Sequence, residues 1–143
     1  MRKLIAVHLA ALMCTACTVE RPKQVPPSII FAEPIIVFFD ADSWSLSEEA
    51  RAVIHEAIPR AKQFDCGVLL AVGNTDATGS EKGNAQLSLR CAEVVRNELL
   101  RDGYRGSVSF EGRDSQNLLK PDDSGKPEPL NRRTQIDFEC RRD

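Results

Sequence analysis

Between Ile35 and Cys140 the spacing of apolar residues alternates between strand-like and helix-like patterns. Ile35–Phe39 (IIVFF) is an unbroken apolar run of β-formers, the mark of a buried strand. The polar turn DADSWS follows, and Ser45 with Glu48 has the spacing of a helix capping box. Ala50, Val53, Ile54, Ala57, Ile58 and Ala61 then fall on one stripe of an amphipathic helix. Pro59 sits inside that stripe and cannot donate to the carbonyl of His55, so a kink or an early end is expected there.

Cys66–Gly73 (CGVLLAVG) reads as a second buried strand, and residues 74–83 as a loop. A second helix opens at Asn84 or its neighbours, with Leu87, Cys91, Ala92, Val95 and Leu99 on one face and Gly103 just past its end. Gly106–Gly112 alternates as a third strand. Asp114–Pro129 is loop, with room for one helical turn near Leu118. Arg132–Cys140 turns Thr134, Ile136 and Phe138 to one side and polar residues to the other, a fourth strand with one wet face. The order is β-α-β-α-β-β. Two right-handed crossovers give parallel strands, and the last strand can return antiparallel. The expected architecture is an α/β sandwich: a four-stranded mixed sheet with two helices packed on one face.

The N-terminus departs from this pattern. Arg2 and Lys3 precede Leu4–Met13, an apolar run broken only by His8. It is too short to cross a hydrocarbon layer, which takes about 20 residues, so it reads as an export signal over residues 1–16. The segment CTAC resembles the end of a bacterial lipoprotein signal. Thr15 and Ala16 fit the two positions before Cys17, and Cys14 stands where Leu is usual. Cleavage would free Cys17 for lipid attachment. Cys14, behind the bulky Met13, fits less well, and an ordinary secreted protein cut nearby is the alternative. Thr18 follows with no Asp there, which fits sorting to the outer membrane. Val19–Pro34 holds four prolines without periodicity, so residues 17–33 read as an extended tether and residues 34–143 as the domain.

Composition narrows the function classes. The formal net charge is −2, and losing Arg2 and Lys3 would make it more negative by two. With one Trp and one Tyr, neither a basic surface nor an aromatic platform is offered to nucleic acid. After cleavage His55 is the only histidine, and no nucleophile–base pair suggests an enzyme. Asp40, Asp42 and Asp76 match no calcium-loop spacing and read as a turn network. Arg133, Arg141 and Arg142 read as a solvated basic edge. No catalytic residue, cofactor or metal is expected.

Three segments carry a resemblance: VFFDADSWSLSEEA (Val37–Ala50), GNTDATGSEKGNAQLSLRCAEVVRNELLRDGY (Gly73–Tyr104) and LNRRTQI (Leu130–Ile136). Their order and separations resemble the OmpA-like C-terminal domain, also found in peptidoglycan-associated lipoproteins, over roughly Pro34 to Cys140. The resemblance implies non-covalent binding of peptidoglycan through the diaminopimelate of its stem peptide. In the Thr75–Asp76 loop, Asp76 would take the ammonium. Asn84 would stand at the helix N-terminus, where free backbone N–H groups suit a carboxylate, and Arg132 close by on the last strand. The family places an Arg immediately before the Ala of this helix, and here that position is Cys91. A neutral thiol cannot form the forked pair with a carboxylate, which costs about 1.5–3 kcal/mol, or about ten- to a hundred-fold in affinity. Arg90 is the neighbouring candidate, turned away by about 100° on the helix. Cys91 itself reads as a small residue filling the helix–sheet seam.

If the last strand lies antiparallel beside the second, as in the family, Cys66 and Cys140 meet, and an exported compartment permits the disulfide. Pairing of Cys66 with Cys91 is the alternative. The whole implies an outer-membrane lipoprotein, on the periplasmic face, that links membrane to cell wall. The competing reading is an OmpA-like scaffold without wall binding that serves as an interaction part of an envelope assembly.

Overall fold

The structure, a computed structural model, describes residues 28–121 and 125–142. The expected signal peptide, Cys17 and the first part of the tether lie outside the described residues.

The first strand, β1 (Ser28–Phe38), begins well upstream of Ile35 and takes in the end of the proline-rich stretch. It is an edge strand, and its register shifts between Ala32 and Ile35. Pro34 falls in that irregularity. A residue without an N–H is tolerated at a bulge on an edge, so the proline interrupts the strand without ending it. The expected tether over residues 28–33 is therefore strand.

The helix that follows is broken, as Pro59 requires, into α1 (Glu48–His55) and α2 (Ala57–Gln63). Its cap is Ser47 and not Ser45: the Ser47 hydroxyl accepts from the Ala50 N–H at 3.1 Å. Ser45 is held instead by its own N–H, which donates to the Ser43 hydroxyl. After β2 (Cys66–Asn74), α3 (Glu81–Arg101) also starts earlier than expected, because Ser80 accepts from the Gly83 N–H. α3 ends where Gly103 takes φ +96°. The Gly103 and Tyr104 N–H groups donate to the Leu100 and Leu99 carbonyls, a Schellman closure.

β3 (Ser107–Gly112) and β4 (Arg133–Arg142) complete a sheet of order β1-β4-β2-β3. β4 is antiparallel to both neighbours, and β3 is parallel to β2. One apolar core joins sheet to helices. Val37, Leu69, Ile136 and Phe138 meet Ile54, Ala57, Ala92, Val95 and Leu99 there, all essentially inaccessible. The core members of each strand alternate, so the helices cover one face of the mixed sheet, as expected.

Two close approaches fix α3 against the sheet. Gly73 and Gly112 are cross-strand partners. A β-carbon on Gly73 would lie 1.9 Å from the Ser88 carbonyl oxygen, and one on Gly112 would lie 2.5 Å from the Ser88 hydroxyl. Backbone packs on backbone at this point, which sets how the loop after β2 meets the start of α3. Lower down, the buried Glu98 carboxylate accepts from Arg51 at 2.7 Å and from Arg101, tying α1 to α3.

The long loop before β4 has no helical turn near Leu118; among its described residues the helical turn is a 3-10 turn at Pro129–Asn131. Asn131 is fully buried. Its amide donates to the Lys120 carbonyl at 2.8 Å and accepts from the Lys120 N–H at 3.0 Å, as a strand partner would. Arg133 departs from the expected solvated edge: it is buried, with a guanidinium nitrogen donating to the Asn117 carbonyl at 2.9 Å. The loop folds over it.

At the opposite end, Cys66 and Cys140 are register partners of β2 and β4 and form a disulfide, leaving Cys91 free and buried. The alternative pairing of Cys66 with Cys91 is excluded. The bridge spans 74 positions of sequence, so removing it releases a long loop in the unfolded chain. Replacing both Cys66 and Cys140 with Ser is expected to lower stability by about 2–5 kcal/mol in urea denaturation, with the fold retained at low temperature.

Candidate functional site

The loops at the C-terminal end of β2 and the N-terminal ends of α3 and β4 converge on Asp76. Its carboxylate is buried and fully engaged. One oxygen accepts from the Thr78 N–H at 3.2 Å and from the Thr78 hydroxyl. The other accepts from Arg132 at 3.0 Å and from the Glu128 N–H at 3.3 Å. Burial by itself would raise the Asp76 pKa. The hydrogen bonds from Thr78, Arg132 and Glu128 favour the charged form more strongly, and the net shift is downward.

Arg132 reaches Asp76 because it is anchored at both ends. Its carbonyl accepts from the Phe39 N–H at 3.0 Å, and its Nε donates to the Phe39 carbonyl at 3.4 Å. It stands just before β4, not on it, and lies between two cavities. One, of about 70 Å³, is lined by Asp42, Thr75, Asp76, Asn84 and Leu87 among others. The other is an open cleft of about 350 Å³ between Phe38–Asp40 and Pro129–Leu130. Arg132 lines both.

Of the residues predicted from sequence, Thr75, Asp76, Asn84 and Arg132 come together around the smaller cavity. Asn84 plays a different part from the one expected. It is inside α3, and its backbone N–H already donates to the Ser80 carbonyl at 2.8 Å. What it contributes is its side chain, whose Nδ2 donates to the Asp76 carbonyl at 3.3 Å. The Thr75 N–H donates to the Asp114 carbonyl at 2.8 Å, and its buried hydroxyl has no hydrogen-bond partner.

Arg90 is the correction. Its guanidinium lies over the Trp44 ring, 4.8 Å from the centroid, and it does not line the Asp76 cavity. Helical rotation points it at the turn after β1 instead. Cys91 is buried in the core, its thiol donating to the Ser43 carbonyl at 3.6 Å. Desolvation pushes its pKa up to about 12, so it is a neutral packing residue and no substitute for a cation. Of Arg90 and Arg132, only Arg132 lines the cavity.

Three contributors were not singled out from sequence: Thr78, the Glu128 N–H and Asn131. Thr78 was accessible in principle, since an Asp two residues before a Thr marks an Asx-type turn. Glu128 and Asn131 act across the chain and carry no local signal. Among the described residues no group of three His, Cys, Asp or Glu side chains could hold a metal ion.

The fold and this loop-end site define a class: a small α/β domain with its polar cavity at one pole of the sheet. Comparison with known proteins gives that class a name. The chain is 29% identical to outer membrane protein A of Bordetella avium over 120 residues, covering 83% of this chain and 61% of the relative. Among solved structures, the OmpA-like domain of FopA1 from Francisella tularensis superposes with a TM-score of 0.64 at 17% identity, covering 82% of this chain and 84% of that one. The peptidoglycan-associated lipoprotein of Burkholderia pseudomallei gives 0.62 at 25% identity, covering 72% and 88%. No family model matches the chain. It spans less than two thirds of its relative from Bordetella avium. The described residues have the fold of an OmpA-like domain, and the chain is similar in sequence to outer membrane protein A.

The depressed Asp76 pKa makes a stability statement. A carboxyl held more acidic in the folded state stabilises it at pH values above its unfolded pKa, and that contribution is lost as pH falls through the folded value. Stability is therefore expected to decline below about pH 4, the ordinary carboxylate range. Asp76→Asn should flatten part of that decline. Arg132→Ala should raise the Asp76 pKa in a carboxyl-carbon NMR titration.

Proposed function

We propose that this domain binds peptidoglycan non-covalently, taking the ammonium of a stem-peptide diamino acid at Asp76, and so links the outer membrane to the cell wall. The observation that carries the reading is where the site lies. Ser28 pairs with Arg142 at one end of β1, and Phe38 pairs with Arg133 at the other. The 11 residues between span about 35 Å at about 3.3 Å per residue. The chain enters at the first pole, and Asp76 sits at the second. A lipid on Cys17, outside the described residues, would hold the entry pole toward the periplasmic face of the outer membrane. The cavity would then face the wall. The name of the Burkholderia pseudomallei lipoprotein supports this assignment. In this reading the domain binds and does no chemistry.

The scaffold reading draws on one observation too. Asp76 is already neutralised by Arg132, and Cys91 offers no second guanidinium. A partner-binding domain that has given up the wall would look similar at this site.

Co-sedimentation with purified diaminopimelate-type sacculi separates the two. The wild type is expected to pellet. Asp76→Ala is expected to lose at least about tenfold in affinity, about 1.4 kcal/mol. Arg90→Ala should pellet like the wild type, since its guanidinium covers Trp44. Cys91→Arg is a poor probe, because it would drive a cation into the core. A wild type that stays in the supernatant while remaining folded favours the scaffold.

A further inference from the structure

The small cavity is unbalanced in charge and in hydrogen-bonding groups. Two carboxylates, Asp42 and Asp76, line it against one guanidinium, Arg132. Several of its donors are already engaged. Arg132 gives Nε to the Phe39 carbonyl and one terminal nitrogen to Asp76. Thr78 gives both its N–H and its hydroxyl to Asp76, and Asn84 gives Nδ2 to the Asp76 carbonyl.

Its acceptors are not. Asp42 is exposed at the cavity rim, and the Asn84 amide keeps its oxygen. The Thr75 hydroxyl is the independent sign of a ligand. It lies on the cavity wall, it is 2% exposed, and its oxygen has no partner. An unpaired buried hydroxyl is costly unless something occupies the cavity. A group with several N–H donors and a positive charge meets all of these acceptors. A carboxylate would meet two like charges against a guanidinium already paired with one of them.

We propose that the cavity selects a ligand end bearing one ammonium and no free carboxylate beside it. Resting on the wall-site reading above, this means a stem-peptide diamino acid whose side-chain carboxylate is amidated, or one that lacks that carboxylate, as lysine does. The Thr75 hydroxyl and the Asn84 amide oxygen accept from the ammonium beside Asp76, and Asp42 repels an adjacent carboxylate.

The test compares three soluble tripeptide-stem muropeptides by isothermal titration calorimetry against the mature full chain. They carry diaminopimelate with its free side-chain carboxylate, the same residue as the carboxamide, or lysine. The carboxamide and lysine forms are expected to bind at least about tenfold tighter than the free carboxylate. Binding of the carboxamide without the lysine form would assign the site to amidated diaminopimelate, and the reverse to lysine. Equal or tighter binding of the free carboxylate overturns the selectivity while leaving the wall site standing. Binding by none of the three overturns the wall site and the selectivity together.

Asp42→Asn checks the cause. The position has φ +51°, which Asn tolerates, and it is exposed, so the fold is kept. The variant should bring the affinities for carboxamide and carboxylate closer together by several-fold. An unchanged ratio overturns the role given to Asp42.

Discussion

β4 lies between β1 and β2, with antiparallel hydrogen bonds on both sides, so the sheet closes only when the last strand of the chain arrives. Most of what holds the domain together and most of what builds its site depends on that insertion. The core needs it, because Ile136 and Phe138 fill the centre of the helix-covered face. The disulfide needs it, because Cys140 is carried to Cys66 by the β2–β4 register. Pairing residues so far apart in sequence is entropically expensive, and a covalent clip at one end of the central strand pair offsets part of that cost.

The same strand delivers the site. Asn131, Arg132 and Arg133 enter β4 in succession, and each goes somewhere different. Asn131 ties down the preceding loop through Lys120, Arg132 turns to Asp76, and Arg133 is buried under the loop at Asn117. A run that looks like a basic patch is thus one loop pin, one site cation and one buried strut. The Gly73–Gly112 pair completes the arrangement by letting α3 settle directly on the sheet, which brings Asn84 to the Asp76 loop. The cavity is rigid for ordinary reasons. Asp76 is held by Thr78 and the Glu128 N–H, and Arg132 by the Phe39 backbone.

Position 91 shows how fold and chemistry can separate. A neutral thiol at the helix seam fits the core against Ser43. What changes is the electrostatic balance of the neighbouring cavity, left with a single guanidinium that Asp76 already uses. The cavity's charge inventory is Asp42, Asp76 and Arg132.

Much of the fold was legible in the sequence because hydrophobic period is a local property. Cys66–Gly73 and the stripe from Ala50 to Ala61 declared their elements, and Pro59 declared its break. The start of β1 is hidden in composition, where prolines in a linker and a proline in an edge bulge look alike. The helix starts were misplaced by a few residues, since any of several serines could cap and only packing selects one. The gathering of Thr75, Asp76, Asn84 and Arg132 was legible through the resemblance of their motifs, whereas the direction of Arg90 was not. The periods and the breaks are local, because each depends on neighbours along the chain, and the inventory of charges is composition. That Arg132 neutralises Asp76, that Arg133 is buried and that Cys91 is silent depends on the fold, because burial and ion pairing are settled by residues that meet across it.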